Sequence, residues 1–107
     1  MALVEIYTKN WCSFSRRAKH LLDSKRVSYV EYDVTDDTEL EALMRARAGR
    51  HTVPQIFIDD AHIGGFDDLA ALDADGGLDP MLEGFPVRPG LDRRRNVPAS
   101  AVQEVQL

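Results

Sequence analysis

Cys12 is the single cysteine among the 107 residues, and its neighbours are of kinds that favour a reactive thiolate. Lys9 lies three positions before it, and Arg16, Arg17 and Lys19 follow. A sulfur at a helix start also meets unpaired N–H groups and the positive end of the helix dipole. Cations and a helix N-terminus together hold a cysteine toward its nucleophilic, ionised form. The bland alternative is a small buried hydrophobe, with Arg17 and Lys19 on a solvated helix face. Ser15 completes the pattern Cys12-Ser13-Phe14-Ser15. One helical turn places it beneath the sulfur, where a second thiol would resolve a mixed disulfide. A serine can only donate a hydrogen bond to the sulfur or cap the helix.

Two further stretches carry chemistry. Thr52-Val53-Pro54 precedes an apolar run and reads first as a turn or edge device. If the Val53–Pro54 bond is cis, the bend offers the Val53 N–H and C=O outward, ready to pair with the extended backbone of a substrate. In Gly64-Gly65-Phe66-Asp67-Asp68 the glycines admit a close ligand backbone, and a helix start offers N–H donors to a carboxylate. The two acids there suit an ammonium group, or simply cap the helix.

The elements that must position these residues follow from periodicity. Alternation predicts a strand over 3–8, and Phe14, Ala18, Leu21 and Leu22 mark the inward face of a helix over 13–25. A second strand over 27–34 makes a parallel βαβ unit with a right-handed crossover. Asp36-x-x-Glu39 predicts a capping box opening a helix with Leu40, Leu43 and Met44 inward, stopped at Gly49. Gln55–Ile58 and Ala61–Ile63 predict a hairpin across Asp59-Asp60. A third helix opens at Phe66-Asp67-Asp68 with Leu69 and Leu72 inward, and a last turn after Asp79-Pro80 packs Leu78, Met81 and Leu82. The order predicts an α/β domain over 1–83, a small mixed sheet with helices on both faces. Residues 84–107 hold three of the five prolines and the run Arg93-Arg94-Arg95, and are predicted to be a flexible tail.

Composition narrows the classes. Apolar residues make up 44 % and charged residues 29 %, the balance of one ordinary globular domain. No apolar run reaches the roughly 18 residues of a membrane span, and the N-terminal pattern predicts no secretory signal. One cysteine excludes an internal disulfide framework. With His20, His51 and His62 as the only histidines, no Cys/His zinc site is expected, and a reducing, cytoplasmic setting is. The net charge of −5 is uneven: residues 1–34 carry six Lys/Arg against four acids, whereas 52–83 carry none against eight. That acidic stretch reads as a solvated face, and no basic surface suggests nucleic acid.

Glu5-Ile6-Tyr7-Thr8-Lys9, the C-x-x-S site followed by Arg16-Arg17-Ala18-Lys19, Thr52-Val53-Pro54-Gln55-Ile56-Phe57-Ile58, His62-Ile63-Gly64-Gly65 and Leu78-Asp79-Pro80 resemble the glutaredoxin family, in its bacterial glutaredoxin-3 type. The resemblance covers about residues 2–83. It implies a thioredoxin-like fold with a four-stranded mixed sheet, and glutathione-dependent thiol chemistry. By it, Cys12 is the nucleophile, with Ser15 and Arg16 in support. Lys9 meets the glycine carboxylate of glutathione, and Val53 pairs with its cysteine backbone between Thr52 and a cis Pro54. Gly65, Phe66, Asp67 and Asp68 hold the γ-glutamyl end, and Phe14 is the aromatic residue beside the thiol.

The departures from the family matter as much. Ser13 and Ser15 replace the proline and second cysteine of the usual C-P-Y-C site, and Phe66 stands where related sequences often have another cysteine. The C-G-F-S class has extra residues between its lysine and its cysteine; here only Asn10-Trp11 intervene. The chain resembles the dithiol class with its resolving thiol removed. That implies a monothiol enzyme, a monomer, acting on glutathione and glutathionylated proteins. A second reading is a dimer bridging a [2Fe–2S] cluster through two Cys12 thiolates and two glutathiones. A third is a glutathione-binding module without useful turnover.

Overall fold

In the computed structural model, which describes residues 2–83, the chain begins with the sheet's central strand. All five residues of β1, Val4–Thr8, are buried, because β1 has a strand on each side and helices on both faces. It pairs in parallel with β2 (Val30–Asp33) and antiparallel with β3 (Gln55–Ile58), and β3 pairs antiparallel with β4 (Ala61–Gly64), giving the order β2-β1-β3-β4. The predicted second strand was longer. Pairing starts only at Glu5 opposite Val30, so Val27 and Tyr29 pack against the core without joining the ladder. The predicted tail, 84–107, lies outside the described residues.

Strand alternation divides the interior into two cores. Val4, Ile6, Ile56 and Ile58 face α1 (Ser13–Ser24), α3 (Phe66–Ala74) and α4 (Leu78–Glu83), and pack with Ala18, Leu22, Leu69, Leu78 and Leu82. Tyr7 and Phe57 face the other way and pack with Val34 and Met44 under α2 (Thr38–Ala48). Each helix buries a narrow stripe, which corrects two expectations. Leu43 is exposed, because Met44 alone fills the deep position of α2, and Phe14 is half-exposed at the start of α1.

The start of α2 also differs from the predicted capping box. Asp37, one residue later than expected, is the N-cap, and its carboxylate accepts the Leu40 N–H at 2.9 Å. Gly49 ends the helix as predicted, with φ of 70°. The Asp59-Asp60 turn has φ of 50° and 68°, the left-handed pair that suits a two-residue hairpin.

Arg47, in the last turn of α2, binds α2 to the sheet. Its guanidinium donates to Glu5 at 2.7 and 3.2 Å, to the Tyr7 hydroxyl at 3.1 Å and to Asp60 at 2.7 Å, and lies 4.0 Å from the centre of the Phe57 ring. The Tyr32 hydroxyl donates to Glu5 at 2.7 Å. Arg47, with Tyr32 second, holds the buried Glu5 carboxyl below its ordinary range. This cluster fixes the point from which the chain departs toward Thr52-Val53-Pro54.

Candidate active site

Cys12 stands where β1 has ended and α1 has not begun. It is the N-cap of α1, with extended backbone (φ −88°, ψ 119°). Its N–H donates to the Lys9 carbonyl at 3.1 Å, and its own carbonyl accepts the Arg16 N–H at 3.3 Å. No side chain caps this helix, so its first-turn N–H groups are left for a ligand or for the sulfur itself. The residue is buried, 7 % exposed. Its Sγ lies 3.7 Å from the Val53 carbonyl oxygen.

The Val53–Pro54 bond is cis, and the loop carrying it is braced from β3. The Gln55 side-chain amide donates to the Thr52 carbonyl at 3.0 Å and to its hydroxyl at 3.1 Å. The Gln55 oxygen meets His62 Nε2 at 2.7 Å, so His62 donates there from a ring protonated on that nitrogen. Partial desolvation, with the nearby charge of Arg50, holds His62 below its ordinary value. Gln55 and His62 were absent from the sequence-based site. The available signal was a glutamine opening an otherwise apolar strand.

Gly65, the N-cap of α3, packs against this bend: a Cβ placed there would lie 3.5 Å from the Pro54 carbonyl oxygen. The two acids that follow have different duties. Asp68 accepts the Gly65 N–H at 2.9 Å and a bond from Arg50 at 3.2 Å. The Gly65 N–H, then the Arg50 guanidinium, hold its carboxyl below the usual range. It therefore caps the helix, while Asp67 is exposed on the first turn with no side-chain partner among the described residues. Arg50 was another residue the sequence left unassigned.

The cations expected around the sulfur are engaged elsewhere or line a neighbouring groove. Lys9 Nζ pairs with Glu41 of α2 at 3.3 Å and lies 5.6 Å from the Trp11 ring centre. Lys19 pairs with Glu31 of β2 at 3.0 Å. Arg17 lies 5.5 Å from the Phe14 ring centre, and the Phe14 and Phe66 rings are 6.4 Å apart. Arg16 lines, with Ser13 and Phe66, an open groove of about 850 Å³ between α1 and α3. Ser15 takes neither expected role. Buried at 1 % exposure, its hydroxyl accepts the Lys9 N–H at 3.4 Å and ties the loop to the helix.

A thiol at a strand-to-helix junction thus faces the residue before a cis-proline, with a glycine-led helix start behind it. The glutaredoxin family model matches residues 4–63. The chain belongs to the glutaredoxin family. Glutaredoxin 3 of Escherichia coli (strain K12) is 58 % identical over 83 residues, which are 78 % of this chain and 100 % of that one. A probable glutaredoxin of Synechocystis is 52 % identical over 82 residues, 76 % of this chain and 93 % of the other. Among solved structures, glutaredoxin from Brucella melitensis superposes with a TM-score of 0.69 at 48 % identity, covering 77 % of this chain and 89 % of that one. The buckwheat glutaredoxin–glutathione complex superposes at 0.72 with 29 % identity and 78 % of each chain covered. The fold is the thioredoxin-like glutaredoxin fold, and the protein is a thiol–disulfide oxidoreductase of this glutathione-dependent family. Among the described residues, this glutaredoxin has no helix long and apolar enough to cross a membrane.

Proposed function

We propose that the chain removes glutathione from glutathionylated proteins by a monothiol route through Cys12. The Cys12 thiolate attacks the glutathione sulfur of the mixed disulfide. A Cys12–glutathione disulfide forms, and the client sulfur leaves as a thiolate that takes up a proton. A second glutathione, as thiolate, then attacks the glutathione sulfur of that intermediate. Glutathione disulfide forms and the Cys12 thiolate departs. The same sulfur serves both steps, as nucleophile first and leaving group second.

The observation that carries this reading is the pairing of one thiol, 3.7 Å from the Val53 carbonyl, with a buried serine where a resolving thiol would stand. In this reading Val53, held by Thr52 and Pro54, pairs with the cysteine backbone of glutathione. Lys9 takes the glycine carboxylate. Gly65, Phe66, Asp67 and Asp68 receive the γ-glutamyl end, with Asp67 free to meet its ammonium. Phe14 and Arg16 flank the thiol where the client enters. The proposed unit is a cytoplasmic monomer whose domain spans 1–83.

The test is turnover of a peptide–glutathione mixed disulfide by the wild type and by Cys12→Ser. Loss of turnover in the variant is expected, and equal rates would overturn the reading. The cluster-bridged alternative draws only one sulfur ligand from each chain, the other two coming from glutathione. A coloured dimer after anaerobic reconstitution with iron, sulfide and glutathione would put that alternative in its place.

A further inference from the structure

We infer that Glu41 is a built-in competitor of the glutathione glycine carboxylate, acting through Lys9 to set how tightly the glutathione moiety is held. The inference rests on the proposed role of Lys9. Lys9 Nζ is already engaged by a carboxylate, Glu41 Oε2, at 3.3 Å. The same oxygen lies 3.5 Å from Arg45 Nη2, one turn further along α2. Glu41 is therefore shared between two cations, one at the active-site loop and one on its own helix. The Trp11 ring, 5.6 Å from Nζ, covers another side of the ammonium.

An arriving glycine carboxylate meets an ammonium whose charge is partly neutralised. An ammonium has three donors, so sharing is geometrically open, but it places two carboxylates beside one cation. Arg45 supplies the way out, because it retains Glu41 when Lys9 turns to the ligand. Both members of the Lys9–Glu41 pair keep about one-fifth of their side chains exposed, 21 % each, so the competition is screened and modest. A pair of this exposure changes an equilibrium by up to about fivefold. The residue sets specificity by position and touches no reacting atom.

The experiment measures KM and kcat for a peptide–glutathione mixed disulfide, and for the same substrate with the glycine carboxylate esterified. Glu41→Gln is expected to lower KM by about three- to fivefold for the free carboxylate, with kcat and melting temperature unchanged, and to leave KM for the ester unmoved. Glu41→Asp, which keeps the charge, is expected to return KM toward the wild-type value. An unchanged KM in Glu41→Gln, where Lys9→Gln raises it, would overturn the role of Glu41 and leave that of Lys9 standing. A Lys9→Gln variant with unchanged KM would overturn the Lys9 reading itself, and this inference with it. An equal fall for ester and free acid would also overturn it, since that is a general charge effect.

Discussion

The Cys12 sulfur and the Val53 carbonyl oxygen are 3.7 Å apart although 41 positions separate them in the chain. The contact joins the start of α1 to the loop before β3, and so sets the thiol beside the Val53 backbone. An extended peptide paired with Val53 would carry its own sulfur to Cys12 with little further search. Orientation of this kind is a large part of what a protein adds to thiol exchange, whose intrinsic chemistry needs only a thiolate and an accessible disulfide.

In the proposed mechanism, the residue at position 15 determines how the mixed disulfide is resolved. Ser15 lies one turn into α1 and is buried under the loop carrying Lys9. Ser15→Cys is expected to add an intramolecular step: the introduced thiol attacks Cys12 in the mixed disulfide, releases glutathione and closes a disulfide. The variant should reduce a protein disulfide substrate much faster than the wild type. After oxidation, its mass should fall by two hydrogens. Failure to close that disulfide would show that the turn does not present the two sulfurs to each other.

Asp67 and Asp68 are neighbours in sequence with separable effects. Asp68 caps α3 through the Gly65 N–H and holds Arg50, so Asp68→Ala is expected to cost about 1 kcal/mol of stability and to weaken substrate binding. Asp67 has no such structural tie among the described residues. Asp67→Asn is expected to raise KM for a glutathione mixed disulfide severalfold at unchanged melting temperature. A lower melting temperature in Asp67→Asn would contradict this division of labour.

Much of this arrangement was legible locally. The switch from alternation to helical spacing placed Cys12 at a helix start, Gly49 stopped α2, and Asp59-Asp60 made the hairpin turn, because each depends on neighbouring residues. The one-residue move of the α2 cap from Asp36 to Asp37 shows the limit of pattern: both aspartates can cap, and packing of Met44 fixes the register. Side-chain partners distant in sequence were not legible. The sequence offers Lys9 for a ligand carboxylate and gives no sign of its pairing with Glu41; Gln55 bracing Thr52, and Arg47 gathering Glu5, Tyr7 and Asp60, likewise needed the fold.

Gly64 couples the end of β4 to the α3 cap. It has φ of 119°, a conformation that L side chains rarely adopt, and a Cβ there would fall on the Asp68 carboxylate. Gly64→Ala is expected to cost more than about 1 kcal/mol and to raise KM as well, because Asp68 must move from Gly65. Denaturant titration and mixed-disulfide kinetics check the two effects. A variant as stable as the wild type would mean that the bend accepts a side chain after all.

The Glu5–Arg47 pair makes stability depend on pH at the acid end. Arg47 lowers the folded pKa of Glu5 from its ordinary 4.5. A carboxyl with a depressed folded pKa contributes stability that is fully present above its unfolded value, and loses it as pH falls through the folded one. The loss attributable to this pair therefore begins near pH 4.5 and deepens below it. Arg47→Met removes the cation but leaves Glu5 buried at 8 % exposure, with the Tyr32 hydroxyl as its remaining partner in the cluster. The variant is expected to be less stable by about 2–3 kcal/mol at pH 7. Its stability should also fall less steeply between pH 5 and 3 (about the range in which an ordinary glutamate titrates), since burial without Arg47 favours the protonated acid. Urea unfolding of both proteins across that range separates the two effects, and parallel curves would remove Glu5–Arg47 as the source of the acid sensitivity.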